Sequence, residues 1–84
     1  MTPDQVKAAR ALLGWNRIRL AASSGTSKYM VIAFEQTGRV APLYVRTEQV
    51  DGLAAMRAAL EAAGVEFTSG EAPGVRLRKP AGAE

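Results

Sequence analysis

The sequence predicts a mainly α domain, with four helices followed by a short C-terminal antiparallel β-hairpin. Three observations carry that expectation. Val6, Ala9 and Leu13 recur at i, i+3 and i+7, as do Leu53, Met56 and Leu60, which is the spacing of one apolar helix face. Between those segments lie two shorter stretches punctuated by polar cap residues and a glycine-bearing turn. After Gly64 the period drops to two, in Val65-Glu66-Phe67-Thr68 and again in Val75-Arg76-Leu77-Arg78, as it does in strands.

The first helix is expected over 3–13. Thr2 stands ready to cap it, Pro3 suits its first turn and Asp4 complements the positive end of its dipole. Leu12 widens the apolar stripe, Gly14 ends the helix in a left-handed cap, and Trp15 follows as a large anchor across the helix ends. Asn16 caps a second, short helix to about Ser23, with Leu20 and Ala21 facing inward. Ser24-Gly25-Thr26 breaks it and Ser27 caps a third helix to about Gln36. Two short helices about a glycine turn form a helix-turn-helix outline.

On the third helix Val31 and Phe34 point inward, while Tyr29, Ala33 and Gln36 lie opposite, with Ile32 beside them and Lys28 at the exposed end. A solvent-facing Tyr and Ile there mean that something docks or that a neighbouring segment covers one of them. Residues 37–46, with Gly38 and Pro42, are expected to be an irregular loop tucked onto the domain, where Tyr44 covers the loop or sits at an interface. The fourth helix begins near Thr47 or at Asp51 and ends at Gly64. Gly52 inside it costs about 1 kcal/mol against alanine. Arg57 and Glu61 are spaced as a solvated helix pair, and Phe34, Met56 and Leu60 belong to the core with Trp15. The hairpin follows, turning through 69–74, with a basic cluster of Arg76, Arg78 and Lys79. The expected organisation is a helix-turn-helix unit over 1–64, a hairpin over 65–79 in the same compact unit, and a flexible tail over 80–84.

Eighty-four residues accommodate one domain. Hydrophobic residues make up 48% and charged residues 23%, a globular balance. Histidine and cysteine are absent, which removes disulfides, Cys/His metal sites, thiol catalysis and imidazole acid–base chemistry. No phosphate-loop pattern and no nucleophile with a base is present, so neither enzyme activity nor a cofactor or metal is expected. Leu53 to Val65, the longest apolar stretch, is interrupted by Arg57 and Glu61, so no membrane span is expected. Met1-Thr2-Pro3-Asp4 lacks the features of a secretory signal, and a cytoplasmic setting is the expectation. Charge is divided unevenly. Residues 1–46 hold seven bases against two acids, whereas residues 47–84 hold four against six. A basic half suits a nucleic-acid surface, backed by a solubilising or dimerising segment.

Leu13-Gly14-Trp15-Asn16, Leu20-Ala21, Gly25-Thr26-Ser27, Val31 and Glu35 together resemble the lambda-repressor-like (Xre/Cro) DNA-binding family over about residues 3–36. Glu61 through Phe67 with Gly74 through Arg78 resembles a subgroup of short bacterial regulators in that family, which carry a small sheet where phage repressors carry a fifth helix. The resemblance implies that the third helix enters the DNA major groove while the second crosses the backbone. It places base-reading positions on Ser27, Lys28, Tyr29, Ile32 and Ala33, with Arg17 within reach of DNA. Asn16, Gln36 and Arg39 match positions that hold phosphates. It also implies an ion pair between Arg10 and Glu35 linking the first helix to the third.

The sequence departs from the family pattern where Arg17 replaces a common Gln and where Ile32 and Ala33 replace polar residues. Ser24 stands in for an aliphatic residue before the turn. The resulting expectation is a sequence-specific double-stranded DNA-binding transcriptional regulator, a repressor that occludes promoters as a homodimer on paired half-sites. The rival expectation is a protein-interaction module of the same fold, an antiactivator or the antitoxin half of a pair, anchored by Tyr29 and Ile32.

Overall fold

The computed structural model describes residues 1–40, 42–45, 48–68 and 73–78. The tail 80–84, the turn residues 69–72, Lys79 and the alternative helix start at Thr47 lie outside them, as does the side chain of Tyr44. The described residues form four helices and two hairpins: α1 Pro3–Leu13, α2 Arg17–Ser24, α3 Lys28–Thr37, β1 Leu43–Val45, β2 Glu48–Val50, α4 Gly52–Ala62, β3 Val65–Thr68 and β4 Gly74–Leu77.

Each helix starts on a side chain that satisfies a backbone N–H left free by the first turn. Thr2 Oγ1 accepts from Gln5 N at 3.1 Å while Thr2 N donates back to Gln5 Oε1 at 2.9 Å, a closed capping box. Asn16 accepts from Arg19 N, Ser27 from Met30 N and Asp51 from Ala54 N. Asp51 therefore decides where α4 begins, and the residues before it take another conformation. At the turn between α2 and α3, Gly25 sits at φ 71 with its N–H donating to Ala21 O, a conformation costing a residue with a Cβ about 1–2 kcal/mol. The Ser24 hydroxyl bonds Leu20 O at 2.8 Å and pairs with the Thr26 hydroxyl at 2.8 Å. The position expected to be aliphatic thus ties the turn through hydrogen bonds.

One core takes residues from every helix: Val6 and Ala9 of α1, Leu20 and Ala21 of α2, Met30, Val31 and Phe34 of α3, Met56 and Leu60 of α4, with Val65 of β3. Trp15 is half-buried against it and carries the Arg19 guanidinium 5.1 Å above its ring, so it flanks the core instead of filling it. Leu12, expected to widen the α1 stripe, is exposed.

The sheets agree with the expected architecture at the C-terminus and depart from it in one place. The stretch 37–46, expected to be irregular, contains β1, which pairs antiparallel with β2 in the register Leu43↔Val50 and Val45↔Glu48. The C-terminal hairpin pairs Val65 with Leu77 and Phe67 with Val75, and it is fastened to α1 by the buried Gln5, whose Nε2 donates to Thr68 O and Gly74 O at 3.0 Å each. Among the described residues no helix is long and apolar enough to cross a membrane.

Candidate nucleic-acid interface

The N-terminal ends of α2 and α3 meet at a shallow groove of about 450 Å³, lined by Arg10, Asn16, Arg17, Ile18, Lys28 and Ile32. Two local features place them there. The Gly25 turn folds α3 back across α2, and burial of Leu20, Ala21, Val31 and Phe34 turns the remaining faces of both helices outward.

Of the residues singled out from the sequence, Asn16, Arg17, Lys28 and Ile32 share this groove. Ser27, Lys28, Tyr29, Ala33 and Gln36 are all exposed along α3, and Tyr29 reaches 72%. Ile32 is half-buried. Arg39 is exposed beyond the Gly38 cap that ends α3. The outward side of α3 is open among the described residues.

Several of these groups already have work in the fold. Asn16 spends its Oδ1 on Arg19 N at 2.7 Å, which leaves its amide N–H groups as donors. Ser27 accepts from Met30 N and keeps its hydroxyl hydrogen to donate. Lys28 Nζ lies 5.3 Å from the centre of the Tyr29 ring. The face therefore offers cationic and amide donors around an apolar strip of Ile32, Ala33 and Tyr29. Its sign is reinforced by sequence, because Glu35 is the sole acid between Asp4 and Glu48.

Glu35 is itself buried, with a side chain 0% exposed. It accepts from Arg10 Nε at 2.7 Å, Arg10 Nη2 at 2.9 Å and Arg17 Nε at 3.1 Å. Burial alone would push this carboxyl up, but hydrogen bonds from Arg10 and Arg17, and then their charges, outweigh it and hold the group below its ordinary value of 4.5. Arg10 and Glu35 thus link α1 to α3. Arg17 joins them, which sequence reasoning did not foresee. It also missed Ile18, 61% exposed on the groove rim. The available signal was an apolar residue lying off the Leu20–Ala21 stripe.

Among the described residues no cluster of His, Cys, Asp or Glu is placed to hold a metal. No family model and no curated protein matches this chain.

Proposed function

We propose that this chain is a lambda-repressor-like helix-turn-helix regulator that binds duplex DNA through the outward face of α3 and represses transcription by covering promoter DNA. The observation that supports this best is the open α3 face, free of carboxylates and bordered in the groove by Arg17 and Lys28. In this reading α3 lies in the major groove. Lys28 donates to guanine acceptors, and Ile32, Ala33 and Tyr29 meet thymine methyl groups. Asn16, Gln36 and Arg39 hold phosphates and fix the register. One such helix covers few base pairs, so a homodimer on two half-sites supplies the rest. In this reading the second hairpin strand, where Leu77 is 47% exposed, or α4 supplies the dimer surface.

Selection from a random duplex pool at physiological salt tests this directly. The expected result is an enriched sequence whose affinity falls steeply with salt. Arg17→Ala with Lys28→Ala removes two cations of the groove and is expected to abolish that binding. Recovery of no preferred duplex, or unchanged affinity in the double variant, refutes the assignment.

A second reading rests on Ile18 and Tyr29, both largely exposed at this face. They suit a protein partner anchored by apolar contacts, as in an antiactivator or antitoxin. Binding of that kind tolerates salt, and Tyr29→Ala removes it while Lys28→Ala does not.

A further inference from the structure

Glu35 holds its two arginines unequally. Arg10 offers a bidentate pair and closes a further donor on Trp15 O at 3.2 Å, so that it is only 17% exposed. Arg17 gives a single bond through Nε and stays 44% exposed. Among the described residues its Nη groups make no hydrogen bond. A guanidinium held by Nε still has the fork formed by Nη1 and Nη2, which fits two acceptors at once. Arg17 lines the groove beside Lys28 and Ile32 of α3, on the open face.

Charge alone does not account for this arrangement. A carboxylate next to Arg17 cancels positive charge where an anionic ligand would be attracted. What Glu35 contributes is orientation, because an unanchored arginine loses rotamer freedom each time it binds.

On the premise that the α3 face binds duplex DNA, we propose that Glu35 is a positioning residue of that interface. It grips Arg17 by Nε so that the Nη1/Nη2 fork stands fixed toward a pair of acceptors on the DNA. O6 and N7 of one guanine, or two oxygens of one phosphate, present that pairing.

The experiment uses the full chain, a duplex selected from the random pool and a scrambled duplex of the same composition. Binding is measured below the melting onset of every variant. Arg17→Lys keeps the charge without the fork, and it is expected to weaken binding of the selected duplex about tenfold while leaving the salt slope in place. Glu35→Gln adds positive charge, so it strengthens binding to the scrambled duplex, steepens the salt slope by up to about 1, and weakens binding to the selected one. A merely structural role would weaken both duplexes together.

The DNA-free protein supplies a separate readout. The Arg17 Nε–H resonance exchanges slowly with solvent in the wild type and quickly in Glu35→Gln. Guanines lacking N7 abolish the Arg17→Lys penalty if the fork meets a base, and a methylphosphonate abolishes it if the fork meets a phosphate. If Arg17→Lys retains the wild-type preference, the positioning role is overturned while DNA binding stands. If the wild type selects no duplex, the premise falls and the positioning role with it, even where the Nε–H signal is protected.

Discussion

Replacing Glu35 with alanine removes a fully enclosed carboxylate that accepts three N–H groups. The main loser is Arg10, which is 17% exposed and forfeits both carboxylate bonds. Breaking a buried pair by deleting one partner costs about 3–5 kcal/mol. Arg10 keeps its bond to Trp15 O and some access to water, which places the cost near the lower end, about 3 kcal/mol. Arg17, 44% exposed, adds less than about 1 kcal/mol. A domain of this size has a total stability of about 4–13 kcal/mol, and each kcal/mol moves its midpoint by about 4–8 °C. Glu35→Ala is therefore expected to lower Tm by about 12–32 °C, followed by far-UV circular dichroism at neutral pH. The double variant with Arg10→Met is expected to lose far less than the sum of the single changes, because each single change strands the other group. A shift below about 4 °C, or simple additivity, would refute the account of this pair.

Other outcomes follow from neighbouring features. Because the Glu35 carboxyl titrates below its ordinary value of 4.5 in the folded protein, the unfolded chain binds the extra proton first as pH falls. Its stabilisation is full above that value and is lost from about pH 4.5 downward through the folded pKa, so acid titration of Tm should be flatter there in Glu35→Gln. Gln5→Ala leaves Thr68 O and Gly74 O without their donor and opens the α1 capping box. It should cost about 2–3 kcal/mol in urea unfolding and speed amide exchange in β3 and β4 before the helices; uniform exchange would count against it. Gly52→Ala sets a methyl against the Met30 side chain and Val40, and a net loss of about 1 kcal/mol is expected where helix propensity alone predicts a gain.

The helices were legible because their limits are written locally. Thr2, Asn16, Ser27 and Asp51 each cap within three residues of their own position, and such contacts depend on nothing remote. The open α3 face was legible for a related reason, since Val31 and Phe34 declare the inward side. β1 and β2 were not legible. Three residues on each strand show too little alternation, and their pairing closes only once the chain has turned back. The role of Gln5 was not legible at all, because the carbonyls it bonds lie 63 and 69 positions away. Gly52 read as a propensity cost, whereas the Met30 side chain across the core occupies the space where its Cβ would stand. Arg17 was legible as an exposed cation; its attachment to Glu35 depends on how α2 crosses α3.

That attachment separates the demands of the fold from those of the face. Arg10 already occupies both carboxylate oxygens of Glu35, so the ion pair joining α1 to α3 is complete without a third donor. Arg17 is half-exposed, and removing its one bond leaves Glu35 paired. Arg17→Met should therefore lower stability by less than about 1 kcal/mol while it changes the groove between α2 and α3 outright. The Arg17 bond, which the α1–α3 ion pair does not need to stay joined, also acts on the arginine by limiting where its fork can point. Substitutions at Glu35 must then disturb stability and the face together, whereas substitutions at Arg17 disturb the face alone. Comparing the two positions in the same melting and binding assays tells an arginine held for the sake of the fold from one held for the sake of what it touches.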